Sequence, residues 1–264
     1  MKIVIVTGAS SGIGEEFVKQ LDQTFHRIDE IWMIARNKEK MEAIAQNLDN
    51  KYRILPLDLE KEGDLNLLED ILKVEKPGIC MLVNCAGFGV MGEFLQSDIQ
   101  EQLEMIDLNC KALTKITYLC LPYIIRNGRI IQVSSSAAFS PQANFAVYAA
   151  TKSYVLSFSR ALQEEVRSRE IFITTVCPGP VDTPFFIRAE KNGHTLQLKK
   201  KFSVTSDRVV YDALIASKRR KSVSVCSFPM KAFHVASKVI THDWLLEIVQ
   251  YFAEKEKTDE EQSE

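Results

Sequence analysis

The sequence predicts an α/β fold, a single domain built on a doubly wound parallel sheet with helices on both faces. Three observations predict it. Short runs rich in Ile, Val and Leu recur without polar alternation, as strands covered on both faces should. Amphipathic stretches separate them, and strand–helix–strand alternation with right-handed crossovers winds a sheet in both directions. The first run also opens straight into a glycine-rich turn that precedes a helical segment.

The strands are expected at 2–7, 30–35, 52–57, 79–83, 129–134 and 171–177, with a seventh at 222–226. Helices are expected at 13–25, 38–48, 64–74, 98–122, 147–169 and 205–217. No composition break divides residues 1–253, which read as one domain with a lid at 183–204 and an amphipathic closing helix at 230–252. Residues 254–264 are charged and almost devoid of apolar side chains, as a solvated tail would be.

Composition excludes several classes of function. A net charge of −2 gives no reason to expect a nucleic-acid partner, and the lysines at 199–201 and 218–221 read as solvated surface. The strand-like run from residue 2 leaves no room for a secretory leader, and no apolar stretch is long enough to span a bilayer. The six cysteines form no Cys-x-x-Cys pair and lie partly in apolar runs, so reduced thiols in a cytoplasmic protein are expected. The four histidines lack ligand spacing, so no metal is expected.

The chemistry lies in a series of motifs. Residues 7–14 read Thr-Gly-Ala-Ser-Ser-Gly-Ile-Gly, with Gly8, Gly12 and Gly14 allowing a tight turn and close backbone approach to a ligand. The next helix would aim unpaired N–H groups and its positive end at a pyrophosphate. Tyr148 and Lys152 are four residues apart on a helical segment and so share a face. A free tyrosine, with a pKa of about 10, is a poor base near neutrality. A neighbouring ammonium favours its phenolate, which is expected to bring the phenol towards the working range.

Taken in order, these motifs resemble the classical branch of the short-chain dehydrogenase/reductase family. Besides the glycine loop, Asn84-Cys85-Ala86-Gly87 comes after the fourth strand, Asn109 lies in Asp-Leu-Asn-Cys, and Val133-Ser134-Ser135-Ser136 ends the fifth strand. Tyr148-Ala149-Ala150-Thr151-Lys152 matches Tyr-x-x-x-Lys, and Pro178-Gly179-Pro180-Val181-Asp182-Thr183 matches the element beside the nicotinamide. The likeness is close over residues 2–185 and weak beyond.

The resemblance implies a Rossmann-type enzyme that interconverts a ketone or aldehyde and an alcohol by hydride transfer. It implies Asn109, Ser135, Tyr148 and Lys152 as the catalytic set. Tyr148 would exchange the proton, Lys152 would also bond the nicotinamide ribose, Ser135 would polarise the carbonyl, and Asn109 would hold a water connecting Lys152 to solvent. Strand alternation weakly favours Ser135 over Ser134 and Ser136, which should face the other way. Cofactor contacts are implied at Gly8, Ser10, Ser11, Gly12, Ile13, Gly14, Arg36, Asp58, Leu59, Asn84, Ala86, Gly87, Tyr148, Lys152, Pro178, Val181 and Thr183.

The second strand ends Ile34-Ala35-Arg36, without the acid that would bond a ribose 2′-hydroxyl, so Arg36 favours NADP(H) over NAD(H). Phe185, Phe186 and Ile187 read equally well as an apolar wall for a hydrophobic, even steroid-like, substrate or as packing of the lid. Phe88, Phe139 and Phe145 are expected to flank the cleft. A homodimer through the helices at 98–122 and 147–169 is implied; the run 223–229 lacks the glycines of the family's usual tetramer contact. The closing segment is expected to pack on its own domain. Ser135 has no Gly-x-Ser-x-Gly elbow, which excludes the serine-hydrolase reading. A catalytically silent NADP(H)-binding sensor or scaffold is the rival, and an intact Tyr148 and Lys152 argue against it.

Overall fold

In the computed structural model, which describes residues 1–25, 28–192, 203–241, 243, 244 and 247, seven strands pair in one parallel sheet. They are β1 (Lys2–Thr7), β2 (Glu30–Ile34), β3 (Tyr52–Leu55), β4 (Gly78–Asn84), β5 (Ile124–Val133), β6 (Phe172–Val176) and β7 (Val223–Ser224). Their order is β3-β2-β1-β4-β5-β6-β7, so the winding direction reverses between β1 and β4. A sheet of this kind opens a crevice at that switch point, outside the carboxyl ends of its strands.

The helices are α1 (Gly12–Thr24), α2 (Lys38–Ala45), α3 (Glu62–Glu75), α4 (Ile99–Ile106), α5 (Leu113–Cys120), α6 (Ala146–Glu165), α7 (Phe185–Ala189), α8 (Ser206–Lys218) and α9 (Phe228–Ala236). They cover the sheet on two sides, and the strands show why. Ile3 and Ile5 of β1 pack with Trp32, Ile34 and the α3, α5 and α6 residues Leu68, Ile116 and Leu162. Val4 and Val6 pack the other way, with Phe17, Leu21, Met41 and Val209 of α1, α2 and α8. Successive side chains thus enter opposite cores, which is why the strand runs show no polar alternation.

Several boundaries differ from the sequence expectation. β3 stops at Leu55 because Pro56, lacking an N–H, cannot continue the ladder. β5 starts earlier, at Ile124, and its register against β4 slips where Asn127 takes a left-handed conformation (φ 63°). The segment 98–122 is not one regular helix: a π-helical turn, Asp107–Ala112, joins α4 to α5. The closing helix expected at 230–252 ends at Ala236. Past it the backbone bonds tighten to Lys238 N→Val235 O and Val239 N→Ala236 O, while Ser237 Oγ donates to the His234 carbonyl at 3.0 Å. Most of residues 242–253, the tail at 254–264, and residues 193–202 of the lid with Lys199–Lys201 lie outside the described residues. Among the described residues no helix is long and apolar enough to cross a membrane.

Candidate active site

A trough of about 420 Å³ runs along the carboxyl ends of the strands at the switch point. The glycine loop forms its floor. Gly8 (φ 68°) and Gly12 (φ 57°) adopt left-handed conformations, and a Cβ on Gly14 would overlap the Gly8 carbonyl oxygen. A Cβ on Gly8 would lie 2.9 Å from the Ala86 nitrogen, so the loop and the end of β4 touch backbone to backbone. Thr7 fixes that approach: its Oγ1 accepts from the N–H groups of Cys85 and Ala86, each at 3.1 Å. Ser11 precedes α1 in an extended conformation and its hydroxyl does not cap the helix, leaving first-turn N–H donors for a ligand. A glycine loop packed too closely on its neighbours to admit a Cβ, ending at a helix N-terminus with unused N–H donors, fits the pyrophosphate of a dinucleotide.

At one end of the trough stand Arg36 and Asn37 after β2, and Asp58, Leu59 and Glu60 after β3. The Asp58 carboxylate accepts from the Glu60 N–H at 3.2 Å and pairs with Lys61 at 3.7 Å. Arg36 pairs with Glu60 at 3.5 Å. Burial raises the Glu60 carboxyl above its ordinary value, against the pull of Arg36.

At the other end are Ser135, Tyr148, Lys152, Pro178, Val181 and Thr183, roofed by Phe185, Phe186 and Arg188 of α7. Three side-chain bonds seat α6. Ser134 Oγ donates to the Lys152 carbonyl at 2.7 Å, Ser153 Oγ to the Ala138 carbonyl at 3.1 Å, and Thr151 Oγ1 accepts from Asn109 Nδ2 at 3.1 Å. The Tyr148 ring stacks on Phe145 at 4.2 Å and meets Phe185 at 5.6 Å. Lys152 Nζ donates to the Val133 carbonyl at 3.2 Å and lies 5.6 Å from the Tyr148 ring centre.

Burial sets the charges here. It pulls the Lys152 ammonium down to about 8, opposed by the thiols of Cys85, Cys110 and Cys177. It pushes the Tyr148 phenol up to about 12, with the Ser135 hydroxyl pulling the other way. The expected lowering of the phenol by Lys152 belongs to the site with an oxidised nicotinamide beside it. In the protein alone the ammonium is directed at the Val133 carbonyl, and burial governs the phenol.

Most of the residues expected at the cofactor site border the trough: Gly8, Ser10, Ser11, Gly12, Ile13, Gly14, Arg36, Asp58, Leu59, Ala86, Gly87, Tyr148, Lys152, Pro178, Val181 and Thr183. Asn84 does not. Its Nδ2 turns into the sheet interior and donates to Thr117 Oγ1 and Gln132 Oε1, each at 3.0 Å. Asn109 is also buried behind the trough wall. Its Oδ1 accepts from the Phe88 N–H at 3.1 Å and its Nδ2 donates to the Phe88 carbonyl at 2.9 Å, so the side chain clamps the loop after β4.

Strand alternation does not single out Ser135, because the chain leaves β5 at Val133 and Ser134, Ser135 and Ser136 all border the trough. What marks Ser135 is the pull of its hydroxyl on the Tyr148 phenol, which it lowers against burial. Phe139 packs on Phe233 and His234 of α9 instead of the cleft, and Ile187 faces solvent at 79% exposure.

Sequence reasoning missed Glu60 and Arg188. Arg188 lies over the Phe88 ring at 3.3 Å and pairs with Glu104 of α4 at 3.6 Å. Lys191–Glu101 at 2.5 Å and Met91 N→Ala189 O at 2.9 Å hold the same segment against the β4–α4 side. The spacing of Phe185 and Arg188, one helical turn apart, was the available signal. Among the described residues no group of three or more His, Cys, Asp or Glu could hold a metal ion.

A family model described as short chain dehydrogenase matches residues 2–193. An uncharacterised oxidoreductase of Staphylococcus epidermidis is 32% identical over 188 residues, which is 69% of this chain and 79% of that relative. Among solved structures, a short-chain dehydrogenase from Sphingobium yanoikuyae in complex with NADPH superposes with a TM-score of 0.78 at 26% identity, over 90% of this chain and 93% of that one. A serine dehydrogenase complexed with NADP+ superposes with a TM-score of 0.72 at 29% identity, over 81% of this chain and 88% of that one.

Proposed function

The chain belongs to the short-chain dehydrogenase family, and from that premise we propose that it reduces a hydrophobic ketone or aldehyde to the alcohol with NADP(H). The observation that carries the reading is the burial of Tyr148 with Ser135 and Lys152 at one end of a trough that ends at Arg36. The NADPH- and NADP+-bound relatives support the cofactor, as does a guanidinium able to make charge-assisted bonds to a 2′-phosphate.

When bound in the trough, the nicotinamide cofactor supplies or accepts a hydride. The glycine loop, with the α1 N-terminus, would hold its pyrophosphate, and Lys152 its nicotinamide ribose. Ser135 orients the carbonyl oxygen through its hydroxyl, a positioning role. Tyr148 gives its phenolic proton to that oxygen as negative charge develops there, and Lys152 then stabilises the phenolate. Asn109 holds the backbone after β4 and, through Thr151, the turn of α6 that carries Tyr148. Phe88, Phe145, Phe185 and Phe186 give the reacting end an apolar lining that excludes water and suits a bulky apolar substituent.

The reading extends to a homodimer, supported by the solvent-facing Leu103 and Ile106 of α4, Tyr118 of α5 and Tyr154 of α6. The test of function is NADPH oxidation across a panel of small ketones, aryl ketones, quinones, sugars and steroids. Turnover favouring the bulky apolar carbonyls is expected. Tight NADPH binding with no turnover across the panel would overturn the enzyme reading in favour of a binding protein.

A further inference from the structure

Arg36 is not a free cation. Its Nη1 lies 3.5 Å from Glu60 Oε2, with the arginine side chain 59% exposed and the glutamate 19%. Both residues border the trough. The Glu60 N–H bonded to Asp58 fixes the turn that carries the carboxylate. Arg36 comes from the loop after β2 and Glu60 from the loop after β3, neighbours only because those strands pair.

We infer that Glu60 is a specificity-determining residue that competes with the cofactor's 2′-phosphate for Arg36, and so narrows the preference for NADP(H) over NAD(H). This rests on the reading that the trough holds a nicotinamide dinucleotide. A 2′-phosphate brings close to two negative charges to a guanidinium already partnered by a carboxylate. It must displace Glu60 or sit beside it, and like charges at short range repel. A 2′-hydroxyl meets no such conflict, because a carboxylate can accept its hydrogen bond. The surroundings do not relieve the competition. Asp58, itself paired with Lys61, and Glu104 add negative charge around Glu60, and Arg188 adds a positive one.

The test is calorimetric binding of 2′,5′-ADP and 5′-AMP to the full chain, since these ligands carry only the adenosine end and need no turnover. Glu60→Gln, which keeps the side chain's shape, is expected to bind 2′,5′-ADP about threefold to tenfold more tightly and 5′-AMP within about twofold of wild type. Glu60→Ala should move the same way. Unchanged or weaker 2′,5′-ADP binding in both variants overturns the inference. The cofactor reading fails separately, by a wild-type preference for 5′-AMP, and binding of neither ligand by any variant overturns both.

Discussion

The two ends of the trough each carry a basic side chain next to a group of opposite or potential negative charge, in very different surroundings. At the end proposed for the adenosine, Arg36 and Glu60 are partly solvated, and their attraction is screened. At the reacting end Lys152 and Tyr148 are buried, and desolvation dominates both. The difference teaches where each kind of work is done. On the proposed function, discrimination between cofactors would rest on small, salt-dependent terms, and proton transfer on a charge held in a place that resists it.

The largest effect that would break this comparison is at Lys152. Lys152→Met is expected to lower turnover by roughly 10²–10⁴-fold, measured in steady state at pH 7. It should also stabilise the fold. With the ammonium lowered from 10.5 to about 8, the folded state binds fewer protons than the unfolded state between those values. Through this group alone, wild-type stability should gain on the variant's as pH climbs through that window, by an amount of the order of 3 kcal/mol. The buried thiols and the Tyr148 phenol, raised in both proteins, weaken both alike at the alkaline end. Urea unfolding of both proteins at pH 7 and pH 10.5 checks the sign; a wild type that gains nothing on the variant over that range would show the ammonium to be well solvated or paired.

Next in size is the glycine floor shared by both ends. Gly14→Ala places a Cβ against the Gly8 carbonyl, and dinucleotide affinity is expected to fall roughly tenfold to hundredfold. Calorimetry with NADPH and NADH should show the same loss for both, because the pyrophosphate is common to them. A loss confined to NADPH would contradict the placement.

The smallest effect is at the screened end. Arg36→Ala should weaken NADPH binding by about fivefold to tenfold and leave NADH nearly unchanged, a difference that shrinks as salt is raised. A salt-independent loss would mean that the adenosine end is as dry as the reacting end.

What was legible in the sequence divides along the same line. Gly8, Gly12 and Gly14, and the pair Tyr148 and Lys152, act within one loop or one helical turn, so spacing alone brings them together. The strand runs were legible because both faces of the sheet are buried. Glu60 was not, because its meeting with Arg36 depends on the pairing of β2 with β3. The inward turn of Asn84 depends on Thr117 and Gln132, from α5 and β5. The π-helical turn that carries Asn109 has the composition of ordinary helix, and the break after Ala236 reflects a change in backbone bonding that apolar periodicity does not report. Placements set by distant chain were not legible, whereas most of those set within one loop or helical turn were.

The central claim is that Tyr148 donates the proton, and Tyr148→Phe tests it most directly. The ring, its stack on Phe145 and its contact with Phe185 are kept, and only the hydroxyl is lost. The measurement is single-turnover reduction of an aryl ketone by pre-bound NADPH, with NADPH affinity determined on the same samples. The account predicts a rate lower by roughly 10²–10⁴-fold at nearly unchanged affinity. Reduction at the wild-type rate would place the proton donor elsewhere and contradict it.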